Sequence, residues 1–421
     1  MGYTSRLVDA TLDELMAGLP AVALDGAKGV GKTATATRRA DTVLSADLPA
    51  TRLRLENDPT LATVGSGTTF IDEWQLVPDL WNVVRRAVDD GAPPGRFLLA
   101  GSATAPPTAR LHSGAGRIVR LLMRPLCLPE RGLATPTVSL AGLLSDVRPD
   151  IAGAADLSTL DYVREILASG FPGIRPRPQA AREHLLASYL DQIVEHDIPE
   201  FGGTVRRPVA LRGWLAAYGA ATGTATSYAS ILRAATPGEE TKPARDTAMA
   251  YRDLLQRLWI LDPLPAWLPG GTHLTRLMQG PKHHLVDPAL AATLVGATET
   301  SLIRGDGPAR RDETFLGSLF ESLAVQTVRV LADRCRARTY HLRTQGGDHE
   351  VDIIVERPDR RVVAFEVKTS TAVRPHDVIH LTWLKQQAPG QVLDCVVLNM
   401  GDTAYRRKDG IAVVPLALLG P

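Results

Sequence analysis

The feature that most constrains this chain is a glycine-rich segment that follows a short apolar stretch near the amino terminus. Residues 21–25 are apolar up to a final aspartate. The next eight residues fit the pattern GxxxxGK[ST] without a gap and are Gly26, Ala27, Lys28, Gly29, Val30, Gly31, Lys32 and Thr33. Glycines let consecutive backbone N–H groups curl around an anion, and a helix N-terminus adds a favourable dipole. The pattern therefore predicts a strand, a loop that binds nucleotide phosphates, and a helix.

A second apolar stretch ends in two acidic residues and completes the expected site. Residues 68–71 are followed by Asp72 and Glu73. We expect Lys32 to contact the β and γ phosphates, and Thr33 and Asp72 to hold Mg²⁺. Glu73 is then placed to activate the attacking water as a general base. ATP and Mg²⁺ are the predicted ligands, although two acids after a strand can also be a solvated loop.

Two further residues are assigned to this site with weaker support. Ser102 ends the apolar stretch 97–101 and is predicted to sense the γ-phosphate; a serine that caps a turn is an equal alternative. Arg117 is chosen to stabilise the transferred phosphoryl group, either in its own chain or in a neighbouring subunit. The other arginines nearby are Arg110, Arg120 and Arg124.

The order of predicted elements indicates an α/β chain with three domains. Strands are predicted at 21–25, 51–56, 68–73, 96–102 and 116–123, alternating with helices, which favours a parallel sheet. Helical spacing prevails at 162–170, 182–198 and 251–261. A long helix at 313–334 precedes strands at 349–356, 361–368 and 392–399. The expected domains are a P-loop ATPase domain (1–155), a helical, winged-helix-like middle domain (156–303) and an α/β domain (304–421), with 304–312 as a linker.

The third domain carries a second set of charged residues. Glu321 lies on the predicted helix, Asp352 on one strand, and Glu366 and Lys368 on the next. Side chains alternate between the two faces of a strand, so Glu366 and Lys368 point the same way and Asp352 can meet them. We expect Glu321, Asp352 and Glu366 to bind a divalent metal, and Asp352, Glu366 and Lys368 to activate a water for phosphodiester hydrolysis. The alternative is an amphipathic strand with solvated charges.

Net charge separates the middle domain from the rest of the chain. The whole chain carries +1, so any nucleic-acid surface must be local. Between Arg206 and Arg257 there are eight basic and four acidic residues. This excess can contact DNA phosphates; the alternative is a solvated helical face or a lid over the nucleotide. Three distant cysteines, no signal-peptide pattern and no apolar run near membrane-spanning length predict a cytoplasmic protein without a membrane partner.

These motifs resemble one known group over nearly the whole chain. The chain is similar to prokaryotic AAA-type ATPases whose C-terminal domain, of uncharacterised function, resembles a PD-(D/E)XK nuclease. The matching segments are 26–33, 72–75 with Pro78, 101–102, 116–117, 125–126 with Glu130, 170–172, 189–190 with Asp197, 286–288, Gly317 with 320–321, 350–352 and 366–368. Two departures are Lys28, where that group often has arginine, and Cys127, where it usually has a serine-like residue.

Three functions remain open on these grounds. The resemblance implies an ATPase that couples hydrolysis to a nuclease-like domain acting on DNA. The alternatives are an ATP-controlled DNA-binding switch and an ATP-controlled protein-interaction switch, each with a catalytically silent nuclease-like fold. Candidate partners are ATP, DNA and a second copy of the chain.

Overall fold

The computed structural model describes residues 2–104, 114–200, 208–235, 245–268, 280–304 and 313–421. The amino-terminal part is a five-stranded sheet flanked by helices. Its strands are β1 (Ala21–Asp25), β2 (Thr42–Ser45), β3 (Thr69–Asp72), β4 (Phe97–Gly101) and β5 (Ile118–Leu122). Its helices are α1 (Leu7–Gly18), α2 (Lys32–Thr37), α3 (Pro49–Asn57) and α4 (Asp79–Asp89). All strands run parallel in the order β2-β3-β4-β1-β5, as the alternation of elements predicts.

One predicted strand of this sheet is wrong. Residues 51–56, Thr-Arg-Leu-Arg-Leu-Glu, lie in helix α3, and the real edge strand is β2. Pro49 begins the helix, a position that its fixed φ favours, and leucine, arginine and glutamate are strong helix formers. The alternation of leucine with arginine does not mark a buried face, because Leu55 is buried and Leu53 is 60% exposed.

The middle of the chain is mainly helical, as expected. The elements that follow β5 are β6 (Val138–Ser139), α5 (Leu140–Leu143), β7 (Gly153–Ala154), α6 (Thr159–Ala168), α7 (Gln179–Gln192), α8 (Ile198–Glu200), α9 (Pro208–Ala220), α10 (Tyr228–Ala234), α11 (Arg245–Arg257), α12 (Pro288–Leu294) and α13 (Glu299–Arg304). After α11, the bridges Leu261–Leu285 and Leu264–Lys282 form an antiparallel ladder. We call residues 261–268 and 280–285 the bridging ladder. The winged-helix-like assignment of this part stays a prediction.

The carboxyl-terminal part is a mixed sheet with a helix on each face. Its elements are α14 (Glu313–Arg334), α15 (Ile379–Gln387), β8 (Arg338–Arg343), β9 (Glu350–Glu356), β10 (Val362–Lys368), β11 (Val392–Asn399), β12 (Thr403–Arg406), β13 (Ala412–Pro415) and β14 (Leu419–Gly420). Phe365 packs in the same cluster as Leu323 of α14, whereas Ala364 packs with Leu381 of α15. The α/β class is therefore confirmed, and the restriction-endonuclease-like assignment stays a prediction.

The predicted domain boundary at residue 155 does not follow the structure. β6 pairs with β14, and β7 pairs with β12 at the edge of the seven-stranded sheet. Arg406 also donates to the carbonyl of Pro149 at 3.0 Å. We call residues 138–154 the strap. The strap therefore belongs with the carboxyl-terminal part of the chain, because its two strands pair with β12 and β14. The sequence could not show this, since these partners are distant in sequence. The predicted linker 304–312 lies almost entirely outside the described residues.

Helix α14 differs from the sequence expectation about apolar runs. Among the described residues, Phe315–Arg334 is the one helix long and apolar enough to span a membrane, and 61% of its most apolar window is buried within the protein. Leu319, Phe320 and Leu323 are fully buried in the main core cluster. Its apolar composition is accounted for by packing against the sheet and the middle helices.

Candidate nucleotide-binding site and the C-terminal carboxylate cluster

The predicted phosphate-binding loop lies at the carboxyl end of β1, which is between β4 and β5 in the parallel sheet. Gly26, Gly29 and Gly31 have φ values of 151°, 83° and 104°, which are accessible to glycine at little cost. A Cβ atom on Gly26 would lie 2.2 Å from the carbonyl oxygen of Met123. The glycines are thus required by backbone geometry.

Lys32 is buried inside this loop. Its Nζ donates to the carbonyl oxygens of Gly26 at 2.7 Å and Ala27 at 3.0 Å. Burial lowers the pKa of Lys32, and the carboxylates of Glu73 and Asp72 oppose that shift. The ammonium therefore lies at the centre of the loop, where a phosphate bound to the backbone amides would meet it.

Thr33 and Asp72 meet as expected for a shared cation site. The Thr33 hydroxyl donates to Oδ2 of Asp72 at 2.8 Å. Oδ1 of Asp72 is buried and has no hydrogen-bond partner among the described residues. Burial raises the pKa of Asp72, and the Thr33 hydrogen bond opposes this. A hydroxyl beside a carboxylate oxygen without a partner fits Mg²⁺, which prefers oxygen ligands.

Glu73 is fixed by polar contacts to β4 and to its own turn. Its Oε2 accepts hydrogen bonds from the Ser102 hydroxyl at 2.6 Å and from Nε2 of Gln75. Gln75 also donates to the Ser102 hydroxyl at 3.3 Å. Glu73 adopts a left-handed conformation, with φ 51°. The structure thus brings the predicted base and the predicted sensor together and adds Gln75, whose role the sequence did not reveal.

Arg117 does not lie near this site in its own chain. β5 runs parallel to β1, with Ile118 paired to Ala21 and Leu122 paired to Asp25. Arg117 therefore lies at the amino ends of the strands, roughly 16 Å from the loop at about 3.3 Å per residue, and it pairs with Asp89 at 2.8 Å. The prediction that Arg117 acts in its own chain is wrong, because it ignored strand direction. A role in a neighbouring subunit stays a prediction, and Arg110 lies outside the described residues.

The loop also contacts the middle helices directly. The Tyr189 hydroxyl donates to the carbonyl of Lys28 at 3.0 Å, and Nζ of Lys28 lies 3.5 Å from Asp197. A cavity of about 290 Å³ opens beside these contacts. Its charged and polar lining residues are Lys28, Asp47, Arg52, Glu73, Gln75, Ser102, Tyr189 and Asp197. The phosphate-binding loop and the middle helices therefore both line the candidate site.

The predicted C-terminal residues converge as the strand pattern indicates. Phe365 pairs with Ile353 on antiparallel strands, which places Glu366 opposite Asp352. Oε1 of Glu366 accepts from Nζ of Lys368 at 2.7 Å, and Oδ2 of Asp352 accepts from the backbone N–H of Val367 at 2.9 Å. The alternative of solvated charges is wrong for the two carboxylates, since Glu366 is 4% and Asp352 is 9% exposed.

A lysine that the sequence analysis did not consider lies among these carboxylates. Nζ of Lys282, from the bridging ladder, lies 2.9 Å from Glu321, 2.8 Å from Glu350 and 2.9 Å from Asp352. Among the residues that the structure describes, no group of three or more His, Cys, Asp or Glu side chains is arranged to hold a metal. The expected metal site of Glu321, Asp352 and Glu366 is therefore not formed in this structure, because the ammonium of Lys282 lies between Glu321 and Asp352 and Glu366 pairs with Lys368.

The pKa values of the carboxylates in this cluster are set by burial and by the charges of Lys282 and Lys368. Burial raises the pKa of Glu321 to about 8, and burial together with the charge of Asp352 raises the pKa of Glu366 to about 8. Burial acts in the same direction on Asp352, but Lys282 and Lys368 lower its pKa. Asp352 is therefore the anionic centre of the cluster.

The basic excess of the middle domain is only partly described. Residues Arg206, Arg207 and Lys242 and the side chain of Arg245 lie outside the described part. Arg212 forms ion pairs with Asp191 and Glu195, and Arg252 pairs with Asp253. At these two arginines the positive charge is already compensated by acids within the chain.

Comparison with known proteins divides the chain into three matches. Residues 19–131 match the model of an AAA domain. Residues 159–301 and 316–419 match two models each described as a domain of unknown function, DUF8612 and DUF4143. The AAA match covers the phosphate loop, Asp72, Glu73 and Ser102. The chain thus contains a P-loop ATPase domain of the AAA type, which ends before the strap.

Similar proteins extend over most of the chain. Uncharacterized protein Rv2008c of Mycobacterium tuberculosis and uncharacterized protein Mb2031c of Mycobacterium bovis are each 29% identical over 361 residues, 84% of this chain and 71% of theirs. Among solved structures, the Walker-type ATPase PABY2304 of Pyrococcus abyssi is 15% identical, with a TM-score of 0.40, covering 68% of this chain and 94% of that one.

Proposed function

We propose that this chain binds MgATP, hydrolyses it in the amino-terminal domain, and uses hydrolysis to change the contact between the phosphate loop and the middle helices. The observation that carries the proposal is the 2.8 Å hydrogen bond between the hydroxyl of Thr33 and the carboxylate of Asp72 beside the buried Lys32. These groups are the ones that a nucleoside triphosphate with its cation requires.

Each residue has a distinct task in this proposal. The loop amides and Lys32 bind the β and γ phosphates, and Thr33 and Asp72 hold Mg²⁺. Mg²⁺, when bound, neutralises charge that develops on the phosphates. Glu73 accepts a proton from the attacking water, while Ser102 and Gln75 orient its carboxylate. Both orienting side chains already bond to Oε2 of Glu73.

Coupling follows from the contacts on the loop itself. Tyr189 and Asp197 contact Lys28, which lies within the loop that closes on the phosphates. A movement of the loop when nucleotide binds or leaves therefore changes the contacts that Lys28 makes with Tyr189 of α7 and with Asp197. The middle helices share a core cluster with α14, so the displacement is transmitted to the carboxyl-terminal sheet.

The test compares two variants of the full chain. Lys32→Ala is expected to abolish binding of a fluorescent ATP analogue. Glu73→Gln is expected to keep binding while the rate constant for hydrolysis falls by roughly 10²–10⁴, the usual contribution of general-base catalysis. Binding is followed by fluorescence anisotropy and hydrolysis by phosphate release. A Glu73→Gln protein with wild-type turnover would refute the assigned base.

A second candidate function is ATP-regulated cleavage of DNA by the carboxyl-terminal domain. The convergence of Asp352, Glu366 and Lys368 on adjacent strands supports it. It requires Mg²⁺- or Mn²⁺-dependent cleavage that Asp352→Ala and Lys368→Ala both abolish. Incubation of the chain with labelled duplex and single-stranded DNA, with and without ATP, gives the answer on a gel.

The position of Lys282 favours the silent alternative, an ATP-controlled switch that binds DNA or a protein. DNA binding without cleavage should weaken steeply with salt, because phosphate contacts release counterions. Binding that ignores salt, or ATP hydrolysis that ignores DNA, would favour a protein partner. An ATPase assay over a salt series, with and without DNA, separates these outcomes.

A further inference from the structure

Lys282 reaches the carboxylate cluster from a backbone position that leaves it little freedom. Its N–H donates to the carbonyl of Leu264 at 2.9 Å, and Leu264 donates back over the same distance. The ladder continues to β8, where Trp267 and Ala266 pair with His341. Lys282 is 1% exposed. Its side chain is thus held by a strand pairing at its base and by charges at its tip.

The ammonium group of Lys282 is surrounded by carboxylate oxygens of the cluster. A lysine ammonium has three N–H donors and no acceptor. Three carboxylate oxygens, from Glu321, Glu350 and Asp352, lie 2.8–2.9 Å from Nζ. Burying a charge is costly unless it is paired and hydrogen-bonded, and here two carboxylates accept hydrogen bonds from Nζ and a third pairs with it. The cluster is therefore built around a single positive charge.

A divalent metal would need the same oxygen atoms. Mg²⁺ takes oxygen ligands at about 2.0–2.1 Å and Ca²⁺ at about 2.3–2.6 Å. Oδ1 of Asp352 and Oε1 of Glu321 are the atoms that such an ion would share, and both already face Nζ of Lys282. An ion and an ammonium cannot occupy this space together. Metal binding at these carboxylates requires Lys282 to leave.

We infer that Lys282 is the resident cation of the carboxylate cluster of Glu321, Glu350 and Asp352, and that it excludes divalent metal from it. The cluster then acts as an ionic lock that joins the bridging ladder to α14 and β9. A second contact also joins the bridging ladder to β9, since Nε1 of Trp267 donates to Oε2 of Glu356 at 2.6 Å. The inference concerns the resting protein and needs no nucleotide, so it stands apart from the proposed ATPase activity.

Mn²⁺ binding to the nucleotide-free full chain tests this. We expect the wild type and Asp352→Asn to bind the same amount of Mn²⁺ in an electron paramagnetic resonance titration. Lys282→Met, which removes the charge but keeps the length, should gain one Mn²⁺ site, and its melting temperature should rise with Mn²⁺. The added site should vanish in Lys282→Met combined with Asp352→Asn.

Two control variants give the comparison its meaning. Lys282→Arg retains a cation and should gain no site. Lys385→Met removes an exposed lysine of α15 and should behave as the wild type. A wild-type Mn²⁺ site that Asp352→Asn removes would overturn the inference, and so would a folded Lys282→Met that gains none. If Lys282→Met does not fold, the wild type and Asp352→Asn pair decides alone: equal Mn²⁺ binding supports the lock, and unequal binding refutes it.

Discussion

At the scale of single residues, Glu73 combines an unusual backbone with a fixed carboxylate. A non-glycine residue with positive φ costs of order 1–3 kcal/mol, and such residues cluster at functional sites. Glu73 has φ 51° and accepts bonds from Ser102 and Gln75. The strained turn points the carboxylate back toward β4 and the phosphate loop. Orientation of the proposed base is therefore shared among residues of the turn and of the neighbouring strand.

Removal of the Ser102 hydroxyl tests this orientation. Ser102→Ala deletes a hydrogen bond to a carboxylate, which is worth about 1.5–3 kcal/mol. We expect the turnover number for ATP to fall roughly tenfold to a hundredfold, with the dissociation constant for ATP unchanged. Steady-state phosphate release and nucleotide anisotropy measure the two quantities. Ser102→Thr keeps the hydroxyl and is the matched control; unchanged turnover in Ser102→Ala would reduce Ser102 to a turn cap.

Local sequence patterns predicted the residues whose role is set by their neighbours in the chain. The contiguous loop residues, and the pair Asp72 and Glu73 at a strand end, needed no knowledge of the fold. Arg117 failed because only strand direction shows which end of the sheet it occupies. Lys282 gave no signal at all, since the acids that define it come from α14 and β9. Which charged residues come together in a cluster of this kind depends on tertiary structure.

At the scale of elements, the phosphate loop is held on both sides by segments outside the motif. Nη1 of Arg6, just before α1, donates to the carbonyl of Val30 at 2.8 Å. Arg6 is itself paired with Glu130 at 3.1 Å. On the other side Tyr189 packs against Phe171, with ring centroids 4.9 Å apart and ring planes tilted by 45°. The loop is thus preorganised by packing that a pattern search cannot see.

A methyl group at the first glycine should disable the loop. In Gly26→Ala the new Cβ would lie 2.2 Å from a backbone oxygen, and φ of 151° is strained for alanine. Strain of about 1–3 kcal/mol, together with the clash, should raise the dissociation constant for ATP at least roughly tenfold. Isothermal titration calorimetry measures it. Gly18→Ala, with no atom within 4 Å of the added Cβ, should bind ATP normally.

Helices and strands were predicted correctly where the periodicity of apolar residues agreed with burial. The prediction was wrong where the two differed. The helix predicted at 313–334 coincides with α14. The strand predicted at 51–56 failed because alternation there reflects exposed side chains rather than a sheet face. Very short strands such as β6 and β7 carry no pattern of their own, and they exist only through their partners.

At the scale of the whole molecule, one arginine connects three parts of the chain. Arg124, just after β5, pairs with Asp262 of the bridging ladder at 2.7 Å and with Asp333 of α14 at 2.8 Å. Arg329 of α14 also pairs with Asp262 at 3.0 Å. Burial acts to raise the pKa of Asp262, but the two arginines lower it to about 2. Asp262 is therefore the shared anion of this network.

Neutralising Asp262 should destabilise the protein in a pH-dependent way. Asp262→Asn leaves two arginines without their shared anion, which costs about 3–5 kcal/mol for a buried pair. Because the two arginines depress the folded pKa of Asp262 to about 2, the stabilisation is present above about pH 4 and is lost as the pH falls toward about 2. Urea unfolding at pH 7 and pH 3 should show the difference shrinking. Glu299→Gln, in an exposed pair with Arg164, should show no such difference.

The strap has a consequence for how the protein is made. Residues 138–154 leave the ribosome long before β12 and β14, their pairing partners. During synthesis the AAA domain can close its own sheet, since all five strands of that sheet precede the strap. The strap must then wait, with unpaired backbone groups, until β12 and β14 emerge. Because closing such a long loop carries an entropic penalty, pairing of the strap follows closure of the parallel sheet.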